Sequence, residues 1–334
     1  MDYSTRNVFE CGSATIVNYL PEIGLEAAIE EIITGLHARP RRISSKYFYD
    51  KKGSKLFENI TVLDEYYPSR TEKAILRMLP LGAITDCSKV DIVELGSGDH
   101  SKITLFLDKI PVKQMQGVRY FPVDISRPAL EASIKELACM FPGLAVQGII
   151  ADYIHQMHIV SGERKKLYCF LGSTIGNLDR GDAMQFVRDI SDTMNPGDRF
   201  LIGFDRVKDV QILENAYNDA QGLTAQFNRN ILNVINRLIE SDFDTEDFEH
   251  RAFYNRAEQR IEMHLEAITD VCVKTPFAAE NILIRKGERI HTENSHKFEE
   301  KDIQLIGEHA ELAVNKIFSD ENQWFSLVNY KKIG

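Results

Sequence analysis

Apolar residues recur along this chain in two rhythms. Residues 25–36 place Leu25, Ile29, Ile32, Ile33 and Leu36 on the stripe of an amphipathic helix. The stretch 45–70, SKYFYDKKGSKLFENITVLDEYYPSR, holds too much Tyr, Lys and Asp for ordinary core. From about residue 70 short apolar runs alternate with helical patterns. VDIVEL (90–95), RYFPVD (119–124), LAVQGII (144–150), KLYCFL (166–171) and RFLIGF (199–204) read as strands. Met184, Val187, Ile190 and Met194 mark a helix that Asn195-Pro196-Gly197 stops. This alternation predicts a doubly wound, mainly parallel α/β sheet.

After Asp205 the rhythm changes. Residues 209–242 read as two helices. Over 260–267, Ile261, Met263, Leu265 and Ala267 alternate with Glu262, His264 and Glu266, the pattern of a half-buried antiparallel strand. ENILIR (280–285) reads as a further strand, 300–316 as helix and WFSLV (324–328) as a last strand. The expected organisation is a sheet domain over 71–206 plus 297–334, and a second, α+β domain over 1–70 plus 207–296.

Composition narrows the classes. The chain has 334 residues, 43% of them hydrophobic, enough for two domains with cores of their own. A net charge of −10 argues against nucleic acid or an anionic membrane as main partner, because both demand a surplus of Lys and Arg. The five cysteines are widely spaced and form no CxxC pair, which disfavours a disulfide framework or a thiolate zinc site. The first ten residues, MDYSTRNVFE, lack the basic-then-apolar pattern of a secretory leader. The expectation is a cytoplasmic protein without a membrane span.

The sharpest local signal is VELGSGDHSK (93–102). A buried strand ends in Gly96-Ser97-Gly98 and a helix begins near Ser101, an arrangement that lets backbone approach a ligand and offers free N–H groups. Ser101 stands where a dinucleotide fingerprint has its third glycine, and Glu94 lies two residues before Gly96. The loop therefore resembles the E-x-G-x-G loop of class I S-adenosylmethionine (SAM) methyltransferases. Asp124 ends the next strand, where an acid can grip ribose hydroxyls, and Asp152 follows the strand after that.

Longer segments make the resemblance specific. YFYDKKGSKLFENIT, EYYPSRTE, LGSTIGNL (171–178), AYNDAQGLTAQFNRNIL (216–232), FEHRAFYN (248–255), RIEMHL (260–265) and IHTENSHKF (290–298) together resemble the L-histidine Nα-methyltransferases. That family trimethylates histidine to hercynine, the betaine precursor of ergothioneine. The resemblance spans roughly residues 25–328. It implies a class I, Rossmann-like methyltransferase fold with a substrate-binding domain, SAM as cofactor, L-histidine as substrate, no metal, and a monomer.

The resemblance also implies roles. For SAM it points to Tyr49 near the sulfonium and amine, Gly96 in the loop, Lys102 toward the methionine carboxylate, Asp124 at the ribose, and Asp152 with Tyr153 at the adenine. Tyr153 stands where the family usually has Phe. For histidine it points to Tyr66 and Tyr217 on the carboxylate, and to Asn177 on amine and carboxylate with Gly172 and Thr174 helping through a water. Glu293 and Ser295 would read the two imidazole nitrogens, with Phe227 and Met263 as apolar wall. Tyr49 and Asn177 are thus the residues nearest the transferred methyl.

Elementary chemistry fits these roles. Methyl transfer from a sulfonium is an in-line displacement, so the accepting nitrogen must be neutral and aligned, and positioning supplies much of the rate. No His–Asp dyad or metal-ligand pair presents itself as the base that takes the amine's proton. Reading an imidazole needs a partner for each ring nitrogen, and Glu293 and Ser295 share one side of the chain if that stretch is extended. Two other readings stand beside it: a methyltransferase for another amino acid, which the Glu293–Ser295 pair disfavours, and a non-catalytic SAM or histidine sensor, whose mark would be missing acids or tyrosines.

Overall fold

A computed structural model describes residues 14–20, 25–154, 156, 160 and 162–334. Cys11 and the leader-free reading of the first ten residues lie outside them. The described chain divides into two compact units, one of 14–20, 71–207 and 298–334, the other of 25–70 and 208–297. Among the described residues no helix is long and apolar enough to cross a membrane, and Cys87, Cys169 and Cys272 are free thiols.

The first unit is built on an eight-stranded sheet. Its order is Ala14–Asn18, Ala145–Ile150, Val118–Asp124, Val90–Leu95, Lys165–Phe170, Arg199–Asp205, Phe325–Lys332 and Leu312–Ser319. The first six strands run parallel, Phe325–Lys332 runs antiparallel to them, and Leu312–Ser319 pairs antiparallel with that strand. Every residue of Val90–Leu95 is buried, as a central strand covered on both faces requires. Ile92, Tyr120, Val146 and Leu167 pack on one face, while Val93, Phe121, Tyr168 and Phe170 pack on the other. Helix Arg127–Met140 buries Leu130, Ile134 and Leu137, and helix Arg180–Thr193 buries Ala183, Phe186, Val187 and Ile190, each at helical spacing. Strand order reverses between Val90–Leu95 and Lys165–Phe170, and the crevice beyond the carboxyl ends of such a pair is where doubly wound sheets bind ligands.

The sheet corrects two expectations. Helix Glu300–His309 ends well before residue 316, and Leu312–Ser319 is an edge strand paired with Phe325–Lys332. Ile303, Ile306, Ala310, Leu312 and Val314 suit a helical stripe, but Glu311 takes a left-handed φ of 54°, which breaks it. The other concerns the N-terminal arm. Ala14–Asn18 pairs in parallel with Ala145–Ile150, so this part of the 1–70 stretch belongs to the sheet unit. At the expected boundaries Val207 falls in the sheet unit and Lys297 in the second unit.

The second unit carries a four-stranded sheet in the order Arg41–Arg42, Arg289–His296, Arg260–Ala267, Phe248–Asn255. Ile261, Met263, Leu265 and Ala267 are buried on one face. Helix Leu223–Leu238 buries Phe227, Ile231, Val234 and Ile235 together with Asn228 and Asn230. Asp50 caps helix Lys51–Ile60, its carboxylate accepting from the Gly53 N–H at 2.7 Å. The same carboxylate takes Asn230 Nδ2 at 2.9 Å and Arg237, which ties the turn around Tyr49 to the longer helix.

Candidate active site

In the sheet unit the glycine loop leaves the central strand with two positive φ angles, 65° at Gly96 and 50° at Gly98. Asp124, at the end of the neighbouring strand, holds that loop. Its Oδ2 accepts from the Gly98 N–H and its Oδ1 from the Ser126 N–H, both at 2.8 Å. Burial raises the Asp124 carboxyl above the usual range, with these backbone donors opposing. A side chain at Gly96 would meet the Tyr153 hydroxyl at 3.2 Å, so Tyr153 lies over the loop, its ring edge-on to Phe170 and Phe186. Asp152, next to it, accepts from the Ile154 N–H at 3.0 Å.

The turn after Lys165–Phe170 sits beside this loop. Gly172 has φ 83° and Ser173 φ 55°, and Thr174–Asn177 follows as a short 3-10 turn. Ser173 Oγ accepts from the Asp205 N–H at 2.8 Å, and Thr174 Oγ1 donates to the Leu171 carbonyl at 2.9 Å, so the tight backbone that carries Asn177 is held at both ends. A side chain on Gly172 would come within 2.8 Å of Lys102 Nζ.

Glu72 joins these pieces. It is fully buried, accepts from the Gly172 N–H at 2.8 and 2.9 Å, and pairs with Lys102 Nζ at 2.8 Å. The readings above did not single it out, although Glu72, Ile75, Leu76 and Leu79 form one apolar stripe, and an acid on such a stripe is the signal. Glu94 is also buried; Tyr120 donates to it, and burial pushes its carboxyl up to about 8. Removing Glu72 strands the Gly172 N–H and the Lys102 charge. Glu72→Ala should lower the unfolding free energy by about 3 kcal/mol, read from denaturant melts; an unchanged midpoint would show that water replaces the carboxylate.

In the second unit an aromatic group surrounds Phe227. Phe48 stacks on it at 4.5 Å between centroids, and Tyr49 meets it edge-on at 6.0 Å. Phe57 links Tyr49 to Tyr66, and Tyr66 meets Tyr217 edge-on at 6.1 Å. His250 fixes Tyr217 through its backbone: Nε2 donates to the Tyr217 carbonyl at 2.8 Å while Nδ1 accepts from Asn228 Nδ2 at 2.9 Å. Burial lowers the His250 pKa, which favours this singly protonated ring.

Strand Arg289–His296 completes the group through a β-bulge. Ile290 lies opposite Leu265, but the register shifts between His291 and Glu293, so that Glu293 lies opposite Met263 and Ser295 opposite Ile261. Without that extra residue both would point to the other face. Thr292, the residue in the bulge, donates to Asn228 Oδ1 at 2.7 Å or to the Met263 carbonyl at 3.0 Å. Desolvation pushes the Glu293 carboxyl up to about 7, against the pull of the Lys297 charge. Ser295 Oγ accepts from Tyr217 Oη and from Lys297 Nζ, each at 2.8 Å.

The sequence-derived residues thus fall into two groups. The sheet unit gathers Gly96, Lys102, Asp124, Asp152, Tyr153, Gly172, Thr174 and Asn177. The second unit gathers Tyr66, Tyr217, Phe227, Met263, Glu293 and Ser295, together with Tyr49. Lys297, buried beside Ser295, is a further residue that the sequence did not single out; its signal is the period-two continuation Glu293, Ser295, Lys297.

Comparison with known proteins gives a consistent picture. The family model described as histidine-specific methyltransferase, SAM-dependent, matches residues 28–332. The chain is 38% identical over 290 residues to a histidine N-alpha-methyltransferase of Mycolicibacterium smegmatis, covering 86% of this chain and 90% of that one. It is 38% identical over 300 residues to a protein of the same name from Mycobacterium tuberculosis, covering 90% and 92%. A Neurospora crassa protein named ergothioneine biosynthesis protein 1 is 28% identical over 293 residues, covering 80% of this chain and 30% of that one.

Proposed function

This chain belongs to the histidine-specific, SAM-dependent methyltransferases, and from that premise we propose how its residues divide the work. The reaction is Nα-methylation of L-histidine by SAM, toward hercynine and ergothioneine. Our reading is that three methyl groups are transferred, by a cytoplasmic monomer.

In this reading Asp124 takes the ribose hydroxyls, Gly96 admits the cofactor close to backbone, Lys102 faces the methionine carboxylate, and Asp152 with Tyr153 holds the adenine. SAM supplies the electrophilic methyl group. Glu293 and Ser295 read the imidazole; Tyr66 takes the carboxylate, while Tyr217, expected there as well, gives its one proton to Ser295 Oγ instead; Met263 and Phe227 give the apolar wall. Asn177, with Gly172 and Thr174, and Tyr49 orient the amine, which must lose a proton before it can attack the methyl carbon in line. The observation that best supports a histidine substrate is the bulge that turns a carboxylate and a hydroxyl together onto the sheet face of Ile261 and Met263.

Mass spectrometry of the protein with SAM and an equimolar mixture of the proteinogenic amino acids tests this. Histidine alone should gain mass, ending at three added methyl groups. Methylation of a different amino acid would remove the imidazole-reading role of Glu293 and Ser295. No product despite SAM binding would favour a sensor.

A further inference from the structure

Lys297 is completely buried in the second unit, yet none of the roles above uses it. Its Nζ donates to Ser295 Oγ at 2.8 Å and to Tyr217 Oη at 3.3 Å, and sits over the Tyr217 ring, 5.0 Å from its centroid. Tyr217 Oη in turn donates to Ser295 Oγ. A phenol is the stronger acid of the two hydroxyls, which favours that direction. A serine hydroxyl has two acceptor positions and one proton. Both acceptor positions are therefore filled, and the proton is what Ser295 has left to offer. The Lys297 charge also acts on Glu293, favouring its ionised, acceptor-only form.

We propose that Lys297 is a positioning residue that sets the hydrogen-bond polarity of the imidazole-reading pair, making Ser295 a donor and Glu293 an acceptor, and so selects the neutral substrate ring. This rests on the reading that Glu293 and Ser295 face the imidazole. A neutral imidazole has one N–H and one bare nitrogen, which match Glu293 and Ser295 respectively. An imidazolium has two N–H groups, and the second would meet a hydroxyl whose acceptor positions are already taken. The wall that bears the pair thereby rejects the charged ring, and the like charge of Lys297 behind Ser295 opposes it as well.

Other ionisable groups share the face of Glu293: His250 lies opposite Leu265, Tyr254 opposite Ile261 and Arg41 opposite Ile290. Lys297 follows Glu293 on the same strand's continuation, and the Tyr217 phenol arrives from the connection between helices Val210–Asn215 and Leu223–Leu238, with the Tyr66 ring against it. Glu262, His264 and His291 alternate onto the reverse face of the sheet, where Glu262 also pairs with Arg260. Lys297 is thus the charge among the described residues that acts on Glu293.

The test is steady-state kinetics of the full chain as a function of pH, varying histidine and SAM separately. In Lys297→Met, the histidine KM at neutral pH should rise roughly tenfold or more. The acid-side rise in histidine KM should also move to higher pH by about one unit or more, with the SAM KM unchanged. Lys297→Arg should restore the profile. Lys297→Gln keeps a donor in a similar volume and must show the same upward movement; it serves if the Met variant does not fold. An unmoved profile in the neutral variants, or a SAM KM that rises in step with that of histidine, would overturn the proposal. Ser295→Ala separates the two levels. If the pair does not read the ring, Ser295→Ala leaves the histidine KM unchanged; if only the role of Lys297 is wrong, Ser295→Ala raises it while Lys297→Met leaves the profile in place.

Discussion

Asp124→Ala should weaken SAM binding by more than a hundredfold, about 3 kcal/mol, measured as the Kd by isothermal titration. The Asp124 carboxylate has two duties. It already holds the glycine loop through the Gly98 N–H and the following turn through the Ser126 N–H, both at 2.8 Å. In the proposed complex its remaining acceptor positions take the ribose hydroxyls, and hydrogen bonds to a charged group contribute about 1.5–3 kcal/mol each. Alanine removes both the ribose contact and the clamp on Gly98, whose backbone is free to take many conformations once untethered. Asp124→Asn keeps one acceptor oxygen but loses the charge, so its loss should be intermediate. Because burial raises the Asp124 carboxyl, SAM affinity in the native protein should fall on acidification at a higher pH than a surface aspartate would dictate. A Kd within threefold of the native value for Asp124→Ala would remove Asp124 from the ribose.

The chemistry-bearing strand ends of the sheet unit are local in sequence, which is why they were legible there. VDIVEL followed by Gly96 and Gly98 requires a buried strand and a turn with positive φ, and no distant partner is needed to read it. The edge strand Leu312–Ser319 was not legible, because its apolar residues fit a helix nearly as well and its pairing with Phe325–Lys332 is decided across a turn. Ala14–Asn18 is too short to declare itself without the distant Ala145–Ile150 beside it. In the candidate site, the two-residue spacing of Glu293 and Ser295 was visible, but the face they take was not. That depends on a bulge whose extra residue, Thr292, is satisfied by Asn228 and the Met263 carbonyl, groups far away in sequence. Glu72 and Lys297 escaped notice for a related reason: a buried charge is conspicuous only once its partners are known.

Glu293→Gln should raise the histidine KM by roughly 10- to 150-fold while leaving the SAM KM within about twofold of native, a split that loss of fold would not produce. In the native chain the Glu293 carboxyl lies near Met263 on an apolar face, and desolvation pushes it up to about 7. Histidine binding therefore requires the ionised carboxylate at a pH close to neutrality, and the histidine KM should rise as pH falls through that value. The substrate imidazole titrates on its own near 6.5, so the native profile is a composite. Glutamine has no proton to gain. In Glu293→Gln the protein's share of the acid-side rise should disappear, leaving only the steps that belong to substrate and SAM. Specificity should loosen as well. Phenylalanine in the native site would leave a carboxylate without a partner, a larger penalty than an unpaired amide, so the histidine-over-phenylalanine ratio in kcat/KM should fall. Equal rises in both KM values, or an unchanged pH profile, would place the imidazole elsewhere and with it the reason for the bulge.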